Sequence, residues 1–178
     1  ANVVLSGGVL KRSDLEDKTE LIEHLITGEK QISLANYEPQ KGFNLDSVDC
    51  EISEGGSVSG LKTTVLNAPN ADFFLVFGKH QAGHAFALIP KDAEGSKVTS
   101  YKTYDGFVSG DLHLENCKAS AVFSKSDALD ILNQAILEGI ICVSSEAIGA
   151  METCYKLKYL CQNQENLQMN IIKEYLTF

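Results

Sequence analysis

The chain has 178 residues, 44% of them hydrophobic and 22% charged, with a formal net charge of -9 at pH 7. That length holds one good core or two small ones, and the composition is ordinary for a soluble globular protein. The negative balance excludes the clustered Lys and Arg that a nucleic-acid or anionic-membrane surface requires.

Near the N-terminus, Ser13 and Glu16 match an S-x-x-E capping box, and Leu21, Ile22, Leu25 and Ile26 form an apolar stripe that stops at Gly28. This predicts a short helix over about 14–27. The period then changes to two. Segments 32–36, 48–53, 57–67, 72–78, 83–90, 98–104 and 110–117 read as strands separated by Gly, Asn, Asp and Pro turns, with a hairpin at Glu54, Gly55 and Gly56. Short strands at hairpin spacing predict an α+β protein with an antiparallel barrel or sandwich. From 127 to 164 the apolar residues recur at three- and four-residue intervals without a proline. That is one helix of about 38 residues, roughly 57 Å long at 1.5 Å per residue, with Ser126 as its expected cap. Such a length calls for partner helices, and 14 further residues after the stripe do not supply them.

Five cysteines, Cys50, Cys117, Cys142, Cys154 and Cys161, show neither CxxC nor Cys/His ligand spacing. A reducing compartment is expected, cytoplasm or mitochondrial matrix. No signal peptide is visible, although an N-terminal Ala1 implies processing or trimming. The longest apolar runs, 73–77 and 140–143, fall far short of the about 20 residues that span a bilayer, so no membrane insertion is expected.

Isolated chemical residues read as structural. His80 and His84 flank a turn without a third ligand, so a solvated turn is expected and no metal. Ser109 lacks a paired base and reads as a turn residue. Lys62 could meet a phosphate or an acidic partner, but a solvated strand lysine is the favoured reading. No glycine pattern matches a Rossmann or P-loop site. Gly139 and Gly149 suit close helix approach, and Glu138, Glu146 and Glu152 read as solvated or salt-bridged surface.

Three ordered segments carry a resemblance to a known family. "ITGEKQISLANYEPQKGFN" (26–44) matches a block I-x-x-G-E-x-x-x-x-x-A-x-T-E-P-x-x-G-S-D at Gly28, Glu29, Glu38, Pro39 and Gly42. "GLKTTVLNAPNAD" (60–72) matches G-x-K-x-W-I-T-N-x-x-x-A-D at Gly60, Lys62, Asn67, Ala71 and Asp72. The remainder, "AFALIPKDAEGSKV", then "YDGFVSGDLHLENCKAS", then the long helix, follows the same order of elements. Together these resemble the acyl-CoA dehydrogenase family over nearly the whole chain.

The resemblance implies the end of an N-terminal helical domain (1–32), a middle β-domain (33–125) and the start of a C-terminal helical bundle (126–178). It implies flavin adenine dinucleotide (FAD) between the β-domain and the bundle, an acyl-CoA substrate, and a homo- or hetero-oligomer assembled through helices. A glutamate takes the α-proton while hydride leaves the β-carbon for the flavin. That glutamate aligns beyond Phe178, so no catalytic residue is assigned here and the chain alone is expected to be inactive. Cofactor positions carry over to Asn36, Tyr37, Gly42, Phe43, Thr64 and Leu66. They also mark the departures. Asn36 and Tyr37 replace the Thr and its neighbour at the ring, Phe43 replaces a Ser, Thr64 replaces the stacking aromatic, and Leu66 replaces a Thr that bonds flavin N5. The family's R-K-Q-F-G segment is Asn163, Gln164, Glu165, Asn166 and Leu167 here. Two functions follow: a flavin-dependent desaturase of acyl-CoA thioesters present as a fragment, or a non-catalytic partner subunit with a degenerate flavin site. An unrelated acidic β-barrel ligand binder requires the motif order to be coincidence.

Overall fold

The computed structural model describes residues 2–42, 44–81 and 83–176, with side chains to Gln162 except Leu160. Two helices open the chain, α1 (Asn2–Arg12) and α2 (Lys18–Thr27). The first has no counterpart among the helices expected from period, although it lies in the 1–32 segment that the resemblance implies is helical. Gly8 is used for contact: a Cβ there would lie 3.2 Å from that of Ala135. The expected capping box does not form. Ser13 ends α1, its amide donating to Val9 O (3.0 Å) and its hydroxyl to Leu10 O (2.8 Å). Asp17 precedes α2 without a side-chain cap, and Gly28 closes it in the left-handed conformation at φ 79°.

Eight strands follow: β1 (Ile32–Ala35), β2 (Glu51–Ile52), β3 (Ser57–Leu66), β4 (Phe73–His80), β5 (Gly83–Pro90), β6 (Ser96–Lys102), β7 (Val108–Lys118) and β8 (Ala121–Phe123). They form one sheet in the order β6-β7-β3-β2-β4-β5-β8, with β1 also on β4. The pairing is mixed. β1 and β2 both run parallel to β4, one after the other along the same edge, at Ile32↔Phe73 and Glu51↔Lys79. The chain leaves that edge after Ala35 and returns at Glu51, and this excursion lets consecutive strands share an edge in one direction. The short β8 was not anticipated.

Strand alternation divides the apolar side chains between two cores. Val58, Val65, Leu112 and Leu114 of β3 and β7 meet Phe74, Val76, Ala87 and Ile89 of β4 and β5. From the other side of β4 and β5, Leu75, Phe77, Phe86 and Leu88 meet Val9, Leu10, Leu25, Leu132 and Ala135 of the helices. One leaf of the sheet is therefore sandwiched, and β6-β7-β3 turns its outer face to solvent.

The last helix, α3 (Ala128–Leu176), is unbroken over 49 residues, as its period requires. Its first intrahelical bond runs from Ile131 N–H to Asp127 O (3.0 Å), so Asp127 rather than Ser126 occupies the cap position. The chain divides into two compact units at Gly139 and Ile140. In the first, a Cβ on Gly139 would lie 2.8 Å from Leu5, and Glu138 pairs with Arg12 at 2.5 Å. That guanidinium's hydrogen bond holds the Glu138 carboxyl below its ordinary value. In the second unit, Ile140, Ile141, Val143, Ile148, Met151, Tyr155, Leu157 and Tyr159 are exposed, and Gly149 has no neighbour among the described residues. The segment Ala128–Tyr159 is long and apolar enough to cross a membrane by length and composition alone. Counting only uninterrupted runs overlooked it, because Gly139, Ser144, Ser145 and Gly149 divide the apolar residues.

Candidate functional site

The chain running from β1 into the excursion crosses β3, and three contacts hold it there. Ser33 Oγ donates to Leu66 O (2.8 Å), Thr63 N–H donates to Tyr37 O (2.9 Å), and Lys62 Nζ reaches Glu38 Oε1 (2.6 Å). These join the two sequence blocks along one seam, with residues 33 to 38 running against 66 to 62.

Lys62 is the main correction to the sequence reading: it is 0% exposed, not solvated. Val58, Gly60 and Lys62 share a strand parity, and parity with buried Val58 was the overlooked signal. Glu38 answers the charge and also accepts the amides of Asp49 (2.7 Å) and Cys50 (3.0 Å). A buried ammonium is tolerated only with such a hydrogen-bonded counter-ion. Gly60 serves the same crossing. A Cβ there would lie 2.7 Å from Cys50 Cα, and its φ of 152° disfavours any L side chain. Burial raises the Cys50 thiol to about 11, with Lys62 opposing that rise and Glu38 adding to it.

Residues facing the other way form a platform. Directly paired residues of antiparallel strands point to one side, so Leu66, Ser109 and Tyr101 make a row across β3, β7 and β6. Asp111 and Thr99 form the next row, beside Thr64. A bulge between Lys62 and Val65 puts Thr64 at φ 54°, uncommon for a β-branched residue, and aims its amide at Asp111 Oδ1 (3.2 Å). Tyr101 donates its hydroxyl to the same oxygen (3.1 Å). Leu66 and Tyr101 are each 37% exposed, whereas Ser109 between them is 0% exposed. Among the described residues the Ser109 hydroxyl has no hydrogen-bond partner. Ser109 thus lies within a strand and not in a turn.

Of the sequence-assigned positions, Asn36 is buried and Tyr37 half-buried at the seam, while Thr64 and Leu66 lie on the exposed platform. The structure brings these four to the same strand crossing. Gly42 occupies an exposed turn at φ 58°, and no hydrogen bond among the described residues ties it to the platform. Phe43 lies outside the described residues, as do the side chains of residues 163–167. The histidines are not a solvated turn: His80 ends β4 buried, and His84 on β5 stacks on Phe77 with ring centroids 5.1 Å apart. A separate concavity of about 430 Å³, lined by Ser53, Ser57, Ser59, Lys79, His80 and Asn116 among others, contains none of the assigned residues.

No protein-family model matches the chain. It is similar to the 3-(aryl)acrylate reductase of Clostridium sporogenes (26% identical over 170 residues, 84% of this chain and 44% of the relative). It is also similar to the L-prolyl-(peptidyl-carrier protein) dehydrogenase of a Serratia species (33% identical over 94 residues, 48% of this chain and 24% of the relative). In fold it matches glutaryl-CoA dehydrogenase from Mycobacterium smegmatis in complex with FADH2, with TM-score 0.64 and 22% identity over 76% of this chain and 38% of that one. These similarities all point to the acyl-CoA dehydrogenases, whose fold the chain carries. It spans less than half the length of these curated relatives.

The platform fits a flavin ring in kind, by a changed donor set. It carries part-exposed Tyr101 and Leu66, an exposed Thr64, and a buried Ser109 hydroxyl without a partner among the described residues. A flat ring with a polar edge calls for those groups.

Proposed function

We propose that the whole protein is an acyl-CoA dehydrogenase-like, flavin-dependent oxidoreductase interconverting saturated and α,β-unsaturated acyl thioesters. The observation that carries this reading is the seam. Thr63 N–H to Tyr37 O and Lys62 to Glu38 place both resembling blocks beneath one exposed platform. Bound FAD supplies the two-electron exchange with the β-carbon. This chain's residues bind and orient: Leu66 and Thr64 meet the ring, Asn36 and Tyr37 border it, and the Glu38–Lys62 pair fixes the backbone that presents them. Asp111 is committed to Thr64 N–H and Tyr101 OH, and no residue of this chain is assigned the α-proton. The thioester carrier is coenzyme A or a carrier protein, since the relatives' names include both kinds of substrate. An oligomer assembled through helices belongs to the same reading, supported by the exposed apolar residues of α3 beyond Gly139.

The experiment is purification of the whole gene product, its visible spectrum, and anaerobic addition of acyl-CoA or acyl-carrier thioesters. A yellow protein bleached by one of them is expected. A colourless protein that binds no FAD overturns this reading and favours the second one, a non-catalytic partner subunit. The second reading is supported by Leu66, which has no side-chain donor for a ring nitrogen.

A further inference from the structure

We propose that Tyr101, on β6, supplies the aromatic contact to the flavin ring, and that the Ser109 hydroxyl supplies a hydrogen bond to the ring's edge. The assignment rests on the flavin reading above, and it names the groups that stand in for those Thr64 and Leu66 do not provide. Three observations lead to it. First, Tyr101 stands in the same row as Leu66, across Ser109, with more than a third of its surface exposed (37%) and its hydroxyl bonded to Asp111. Asp111 binds the Thr64 amide through the same oxygen, so the aromatic ring is tethered to the strained residue at the position where an aromatic is lacking.

Second, the Ser109 hydroxyl is buried without a partner in that row. An unpaired buried hydroxyl is unfavourable. A flat polar ring edge entering between Leu66 and Tyr101 gives it an acceptor. Third, the other large aromatics of this hairpin are placed differently. Tyr104 and Phe107 occupy the tip beyond the β6–β7 ladder, where they are 110% and 69% exposed. They serve as internal controls.

The test uses the whole gene product stripped of flavin and titrated with FAD, following both calorimetric affinity and the emission of bound flavin. Tyr101→Leu should weaken binding about three- to tenfold and brighten the bound flavin, because a stacked phenol quenches it. Tyr101→Phe should restore both. Ser109→Ala should weaken binding about fivefold without lowering the thermal midpoint of the flavin-free protein. Tyr104→Leu should change neither readout. If the unmodified protein binds FAD and Tyr101→Leu and Ser109→Ala bind it within twofold with unchanged emission, the assignment is wrong while the flavin reading stands. If the unmodified protein binds no FAD, both are overturned.

Discussion

The two faces of the β3–β7 pair are built from the same backbone and obey opposite rules. On the inner face Val58, Lys62, Val65, Leu112 and Leu114 are buried, and the one charge among them is answered by Glu38 at 2.6 Å. On the outer face Thr64 is held at a positive φ, Leu66 and the neighbouring Tyr101 of β6 are part-exposed, and the Ser109 hydroxyl has no partner among the described residues. The inner face is complete within the chain, and the flavin contacts proposed above all lie on the outer one. The matches to the family follow the same division. Gly60, Lys62 and Glu38 match, and all three serve the strand crossing beneath; Thr64 and Leu66, which look outward, differ. Scaffold residues are constrained by one another, whereas ligand-facing residues are constrained by what they hold.

The sharpest way to break this comparison is Glu38→Gln. It leaves Lys62 charged and buried, and about 3–5 kcal/mol of stability should be lost in urea unfolding. The double variant Glu38→Gln/Lys62→Met should recover most of that loss, since an apolar pair of similar volume removes the stranded charge. A cost below about 1 kcal/mol for Glu38→Gln would show that water reaches the inner face.

Next in size is an effect of alkaline pH. The Cys50 thiol is raised from 9.0 to about 11, mainly by burial. Below pH 9 both folded and unfolded chains hold that proton. Between pH 9 and about 11 the unfolded thiol ionises while the folded one does not, so stability falls across that window, by about 2–3 kcal/mol for a shift of this size. Unfolding midpoints measured across the window should show the decline, and Cys50→Ala should flatten it. An equal slope in both proteins would locate the pH effect elsewhere.

Gly60→Ala should cost about 1–3 kcal/mol, because its Cβ enters the space of the Cys50 backbone. A thermal melt decides it, and a neutral result would mean that the crossing is loose. The smallest effect belongs to the outer face. Ser109→Ala, which removes a hydroxyl without a partner, should leave the flavin-free protein's stability within about 0.5 kcal/mol of its original value or slightly raise it. A loss comparable to that of Gly60→Ala would give Ser109 a structural bond and close the outer face as well.

Local pattern made most elements legible: the strands from β3 to β7, the αL stop at Gly28 and the continuity of α3 all follow from period, turn residues and the absence of proline. Local pattern also misled where a residue's partner is distant in sequence. Ser13 looked like the start of a helix and ends one, because α1 is stabilised by Ala135 against Gly8 and not by its own propensity. His80 and Ser109 looked like turn residues, although neighbouring strands bury both. Asn36, Tyr37, Thr64 and Leu66 were reached through the family resemblance, yet Tyr101 carries no motif and becomes visible only when β6 is laid beside β7.

The sequence by itself determined the period of each segment, and with it which residues share a strand face or a helix stripe, because these depend only on backbone geometry within a few residues. It also determined the likeness to the acyl-CoA dehydrogenases, since ordered blocks survive without coordinates. Tertiary structure alone decided which face is inside, that Lys62 is buried against Glu38, that β1 and β2 share one edge of β4, and that Tyr101 stands two strands from Leu66. The reason is physical: burial and pairing energies arise between residues tens of positions apart, and no local pattern encodes which distant segment will arrive.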